Sequence, residues 1–250
     1  MLPTNLRNSL VVVSVVLVLT LAASAKCSNA NVTGKYGFLS TGFDQDGNPI
    51  AVLGYINANG KGTFTGTEIE SDNGSVESAA AKGTYSINAD CTGSGTITPK
   101  GGKASHFALV VVSGGTTLQS LTTDAGAVQS GTTQAEGKAT CTVAGVKGTY
   151  GIQAEGVFLG VGAVALDGLL TFDGKGNVSG TESGSIAGQI FTAASVSGSY
   201  TIKPNCTGTA AFSISGEPTL HSSLVMTNGA KNMLVLETDS STVVAGSGQQ

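Results

Sequence analysis

Gly168-Leu169-Leu170-Thr171-Phe172, then Asp173-Gly174, then Lys175-Gly176-Asn177-Val178-Ser179-Gly180-Thr181-Glu182-Ser183 reads as two β-prone runs hinged on a reversal. Branched and aromatic residues favour the pleated, half-buried surface of a strand. Asp-Gly favours the tight turn, because a type I′ reversal needs positive φ at both central residues. The pattern predicts a two-residue hairpin here, and Asn59-Gly60 predicts another.

Those two hairpins are the same hairpin. Gly60-Lys61-Gly62 corresponds to Gly174-Lys175-Gly176, and Gly66-Thr67-Glu68 to Gly180-Thr181-Glu182. Cys27, Gly34, Tyr36, Gly37 and Gly42 return 114 positions later as Cys141, Gly148, Tyr150, Gly151 and Gly156. With one inserted residue, Tyr85 and Cys91-Thr92-Gly93 return as Tyr200 and Cys206-Thr207-Gly208. The chain is a tandem duplication, read as residues 26–131 and 141–250 joined by a polar linker, 132–140. Each copy is about a hundred residues long, enough for one small core.

Copy two carries strand-like runs at Gly148 to Glu155, Val157 to Leu166, Gly168 to Phe172, Asn177 to Ser183, Gln189 to Ala194, Ser197 to Lys203, Gly208 to Ser215, His221 to Thr227 and Asn232 to Thr238. Copy one follows the same order, and no stretch has convincing helical periodicity. Tyr36 and Phe38, Tyr85 and Ile87, and Leu109 and Val111 are each two apart, as are Tyr150 and Ile152, Tyr200 and Ile202, and Leu224 and Met226. Each pair therefore points to one side of its strand. Short reversals with no long crossover favour an all-β fold of two tandem antiparallel up-and-down barrels, about eight strands each, over a sandwich. Closure also removes edge strands, a hazard in a chain with only 11% charged residues.

The first 25 residues carry Arg7, an apolar run from Leu10 to Leu21, and small residues ending Ala23-Ser24-Ala25. That is a secretory signal peptide, and the mature protein is expected outside the cell or in a periplasm. The apolar run is short for a membrane anchor, which needs about 20 residues, and Lys26 before Cys27 disfavours lipid attachment. Missing aromatic girdles disfavour a transmembrane barrel. Basic residues are scattered singly, which excludes a nucleic-acid binder.

Four cysteines in an exported chain read as disulfides, and the repeat selects Cys27 with Cys91 and Cys141 with Cys206. Each closes a loop of 64 or 65 positions, worth at most about 4 kcal/mol by chain entropy. Zinc-type spacing is absent. Asp44-Gln45-Asp46-Gly47-Asn48 resembles the start of a calcium loop, but its glycine is misplaced and its closing glutamate missing. It reads as a hairpin turn. No metal, cofactor or nucleophile motif is expected.

The retained polar residues are His106 with His221, Glu68 with Glu182, and Asp124 with Asp239. Parity sets His106 opposite Leu109 and Val111, on the solvent side. The aspartates read as turn-formers. Glu68 and Glu182 fit either a solvent face or a lumen. These glutamates and histidines are the candidate ligand-binding residues; none is assigned a catalytic role.

Phe172-Asp173-Gly174-Lys175-Gly176-Asn177-Val178-Ser179-Gly180-Thr181, with Val196-Ser197-Gly198-Ser199-Tyr200-Thr201 and Cys206-Thr207-Gly208, resembles a family of uncharacterised secreted bacterial proteins. The resemblance covers both copies and implies export and β architecture, with no activity. The barrel topology is also similar to the calycin or allene oxide cyclase type, and fold alone does not set function. The leading expectation is a non-enzymatic envelope or extracellular module, binding or structural, with a surface partner or small molecule. The alternatives are a carrier of a small apolar ligand in a barrel lumen, and a cyclase or isomerase acting there.

Overall fold

The computed structural model describes residues 26–138, 141–214 and 218–250. The expected leader, residues 1–25, lies outside the described residues, as do positions 139 and 140 of the expected linker. The architecture is two closed antiparallel eight-stranded barrels, each strand pairing with the next in sequence. The first comprises β1 (Thr33–Phe43), β2 (Pro49–Asn59), β3 (Thr63–Asp72), β4 (Ser75–Ile87), β5 (Thr92–Pro99), β6 (Ser105–Val112), β7 (Thr117–Thr122) and β8 (Val128–Ala135). The second comprises β9 (Lys147–Phe158), β10 (Gly162–Asp173), β11 (Asn177–Ile186), β12 (Gln189–Ile202), β13 (Thr207–Ile214), β14 (Leu220–Thr227), β15 (Asn232–Glu237) and β16 (Thr242–Gln249). β8 closes on β1 and β16 on β9.

Several boundaries differ from the sequence reading. The hairpin loops at Asn59 and Asp173 hold three residues, because the side chain before each glycine organises the turn. Asp173 Oδ1 accepts the backbone N–H groups of Lys175 (2.7 Å) and Asn177 (3.0 Å). Gly174 and Gly176 supply φ of +74° and +104°. The run Val157 to Leu166 conceals the β9–β10 turn, whose apolar Leu159 and Val161 flank Gly160. The runs at 189–194 and 197–203 form one strand, β12. β16 closes the second barrel although its Gly-Ser composition is weak. β8 extends to Ala135, and Thr132 to Ala135 pair with Leu39 to Tyr36, so the first part of the stretch read as a linker closes the first barrel.

The inserted residue has a location. In the first barrel Glu68 faces Ala79 and Glu70 faces Glu77 across β3–β4. In the second, Glu182 faces Ala194 but Gly184 faces Phe191, a β-bulge that puts Ala193 at φ +52°. The extra residue is absorbed there, and the strand ends keep their register.

One end of each barrel is plugged. A short 3-10 turn (Asn29–Asn31, or Val143–Gly145) crosses the opening. The Tyr85 hydroxyl donates to the Val32 carbonyl (2.6 Å) and Tyr200 to Val146 (2.7 Å), and Tyr36 donates to Gly115 (2.9 Å). Disulfides Cys27–Cys91 and Cys141–Cys206 tie the turn to the β4–β5 and β12–β13 reversals. The apolar core gathers just inside, around Tyr36, Phe64, Tyr85 and Leu109 in one barrel and Tyr150, Phe172, Tyr200 and Met226 in the other.

The barrels lie side by side. Leu39, Ala51 and Leu53 from the outer face of β1 and β2 pack on Val225, Leu234, Leu236 and Val243 from the outer face of β14–β16. Gly37 permits the approach, since a Cβ there would come within 2.6 Å of Val225 Cγ1 and 2.7 Å of Thr227 Cγ2. At the plugged ends the Thr227 hydroxyl donates to Gln134 Oε1 (2.8 Å), and at the opposite ends Ser71 donates to the Thr242 carbonyl (3.1 Å). The two open mouths therefore lie next to each other on one face of the molecule.

Candidate functional site

The first barrel is hollow above its plug. Its lumen is a cavity of about 310 Å³, open at the mouth, with Val52, Ile56, Phe64, Phe107, Leu109 and Leu118 among its walls. Alternation builds it: β2 turns Val52 and Ile56 inward, and β3 turns Phe64, Glu68 and Glu70 inward. Ser120, Thr122 and Thr133 add hydroxyls from β7 and β8.

Two carboxyl groups interrupt this apolar wall. Glu68 is only 6% exposed, and no described group donates a hydrogen bond to it. Burial, reinforced by the charge of Glu70, pushes Glu68 up to about 7. Glu70, two residues on and so on the same face, is also raised, by burial first and then by Asp72, Glu77 and Asp44. Asp72 is raised by burial and by Asp44 and Asp46. One side of the mouth is thus an acidic rim. Lys103 and His106 line the cavity at its edge.

The second barrel keeps the topology and changes the contents. Deep in its lumen lies a pocket of only about 60 Å³, and above it a hollow of about 470 Å³ at the mouth, with Phe158, Leu159 and Ile186 among its walls; Leu166, Glu182, Ile214 and Leu220 line both. Phe172 stands where the first barrel has Ala58, Met226 for Val111, Met233 for Leu118 and Val235 for Ser120. Phe172 stacks edge-on between Tyr150 and Tyr200, at centroid distances of 5.2 and 4.9 Å. The acidic rim is gone: Asp44, Asp46, Glu70, Asp72 and Glu77 correspond to Phe158, Gly160, Gly184, Ile186 and Phe191. Glu182 does line the lumen, raised by burial. Glu237 joins it, 7% exposed and pushed by burial to about 7, with Asp239 and Glu182 adding to the rise and the Thr242 hydroxyl opposing it. Glu182 Oε1 and Glu237 Oε2 are buried without a hydrogen-bond partner.

The histidines sit elsewhere. Side chains of His106 and His221 are 56% and 59% exposed, on the outer side of β6 and β14 near the mouths. His106 Nδ1 lies 2.7 Å from Asp124 Oδ1, and its backbone N–H donates to Oδ2 at 2.8 Å. His221 and Asp239 repeat this at 3.0 and 2.6 Å. The aspartates form their turns and also clamp a neighbouring strand; hydrogen bonds from the His106 backbone and ring hold Asp124 below the usual carboxylate range. The structure does not bring either histidine together with the lumenal glutamates by any hydrogen bond. Asp44 spends its carboxylate on its own turn, accepting N–H from Asp46 (2.9 Å) and Asn48 (2.7 Å), and the Asn48 amide first among its partners keeps it ionised. Among the described residues, no three His, Cys, Asp or Glu side chains converge to hold a metal ion, and no helix is long and apolar enough to cross a membrane.

Sequence reasoning left Glu68 and Glu182 undecided and missed Glu70 and Glu237. The signal was present in β3: Phe64 is an inward anchor, and Glu68 and Glu70 are four and six residues further along the same alternation. For Glu237 the signal was Met233, four residues earlier on β15.

No protein-family model matches this chain, and no curated protein matches it by sequence. Among solved structures, kievitone hydratase from Nectria haematococca is similar over 90% of this chain and 90% of its own, at 11% identity and a TM-score of 0.27. A likeness that distant has no bearing on chemistry.

Proposed function

We propose that this is an exported carrier that holds a small, largely apolar ligand in the lumen of its first barrel. The observation that supports this most is the first lumen itself, about 310 Å³ running from the mouth down to Val32 and Tyr85 at the plug, whereas the second barrel is nearly filled at depth, about 60 Å³, and keeps its larger hollow at the mouth. A hollow of this size costs packing energy that a filled barrel keeps, and eight-stranded barrels are wide enough to enclose one small ligand. Export fits the two disulfides. The two units are taken as the two copies, the first running through β8 to Ala135 and the second beginning at Cys141.

The test uses the full mature chain and N-phenylnaphthylamine, a neutral dye that brightens in apolar surroundings. Saturable brightening is expected, and Val52→Trp, which places an indole in the cavity, should abolish it. Brightening that survives Val52→Trp would place the dye elsewhere and defeat the carrier reading. Native mass spectrometry of protein from its own host should also show a bound small molecule.

A further inference from the structure

We propose that the first barrel takes small apolar amines, seating the ammonium between Glu68 and Glu70 with the hydrocarbon body below it against Ile56, Phe64, Leu109 and Leu118. This rests on the carrier reading. Glu68 is an unpartnered carboxyl, more than nine-tenths buried, aimed into the cavity. Its oxygens face the open lumen, where a ligand can reach them, while the rest of the side chain is held among the wall. A neutral alcohol would satisfy one lone pair and leave the charge. An anionic ligand would meet Glu70, Asp72 and Glu77 on β3 and β4 and Asp44 and Asp46 on the β1–β2 turn, which face Glu68 from the same side; Lys103 and His106 stand at the rim. A bare metal ion lacks its ligand set, since no three acidic or imidazole groups converge among the described residues. An organic cation brings both the charge and the apolar body that the walls below are shaped to cover. The rim also steers cations toward the mouth, an effect that weakens with salt.

The duplicate sharpens the assignment. Asp44, Asp46, Glu70, Asp72 and Glu77 are each replaced by glycine or an apolar residue in the second barrel, while Glu182 is retained. The acidic rim along β1–β4 is therefore a property of the first barrel and not of the fold.

Octylamine, octanol and octanoate share one tail and differ in charge. On the full chain, each is titrated against bound N-phenylnaphthylamine, with calorimetry in buffers of different ionisation enthalpy. Octylamine is expected to displace the dye about tenfold more tightly than octanol, the scale of a charge-assisted hydrogen bond, and octanoate more weakly than either. Below neutrality octylamine binding should release protons as Glu68 ionises, and octanol binding should not. Glu68→Gln, close in shape and relieved of charge, should remove the amine preference and the proton release while octanol binding stays within about twofold; Glu70→Gln should reduce the preference. Equal binding of amine and alcohol, or a preference untouched by Glu68→Gln, overturns the amine assignment and leaves the carrier standing. Failure of all three to displace the dye overturns both.

Discussion

The two barrels share strand order, disulfides, tyrosine anchors and plugged ends, yet the first is hollow down to its plug and the second is filled at depth and hollow at its mouth. The inward positions differ in both directions: Ala58 against Phe172, Val111 against Met226 and Ser120 against Val235 add bulk to the second barrel, while Phe64 against Val178 and Phe107 against Ser222 remove it. The lesson is that the backbone of this barrel does not dictate a cavity. Wall and plug are common property, and where the hollow lies belongs to the sum of the inward side chains, which can be exchanged without touching a turn or a hydrogen-bonded ladder.

The comparison can be attacked at its most sensitive point. Phe172→Ala should empty the floor of the second barrel at a cost of about 3–5 kcal/mol, because the ring is buried between Tyr150 and Tyr200. Denaturant unfolding followed by tyrosine fluorescence reads this as a separate early transition. The reciprocal exchange is Ala58→Phe together with Phe64→Val, since Ala58 lies opposite Phe64 as Phe172 lies opposite Val178; it should be tolerated and should fill the depth of the first lumen, lowering dye capacity. A mild Phe172→Ala and a ruinous reciprocal exchange would show that the difference lies in the backbone after all.

pH offers a subtler probe, because each barrel buries a glutamate. Glu68 and Glu237 both sit at about 7 in the fold against an ordinary 4.5. A carboxyl raised in this way binds its proton more tightly folded than unfolded. Their share of the stability is therefore greatest below about 4.5, declines as pH climbs toward about 7, and levels off above it, a loss of at most about 3 kcal/mol per group and less where solvent in the lumen screens the charge. Thermal melts across that window should show the decline. Glu237→Gln should flatten the second barrel's share, and a saturating amine should flatten that of the first alone. A melt curve that instead rises toward neutrality contradicts the burial of both acids.

Smallest is the effect on how the barrels meet. Gly37 abuts Val225 and Thr227, whereas its duplicate Gly151 has open space: a Cβ added there would have its nearest neighbour, the Gln249 carbonyl oxygen, 3.9 Å away. Gly37→Leu should cost about 1–3 kcal/mol by overpacking, and Gly151→Leu much less. Equal costs, measured by chemical denaturation, would mean that the glycine serves the strand and not the contact.

Much of this was legible in the residues alone. The repeat and the period-two alternation led to two all-β barrels, and the parity of Leu109 and Val111 located the core side of β6. The calcium-like string resolved into a turn, as its misplaced glycine suggested. Less was readable where a local pattern meets a global sum. Whether a lumen is empty depends on the total volume of inward side chains from eight strands, and no single strand records it. Glu68 looked ambiguous because Gly66 beside it has no side chain to mark a face. The turn at Leu159, Gly160 and Val161 passed for strand because its residues are apolar, and they are apolar because they line the second mouth.

The way the barrels touch also has a consequence for assembly. The contact joins different walls, β1–β3 of one unit to β14–β16 of the next, so it is head-to-tail, and such a rule repeated without closing generates a fibre. A further unit would have to grip the β9–β11 wall. There Leu39, Leu53 and Ile69 have become Gln153, Asp167 and Ser183. That wall is therefore not matched to the joint. The first barrel's β6–β8 wall keeps Leu121 and Val128, 53% and 66% exposed, where the joint has Leu236 and Val243, but puts Gln119 in place of Leu234 and Ser130 in place of Ala245, so neither free wall repeats the contact in full.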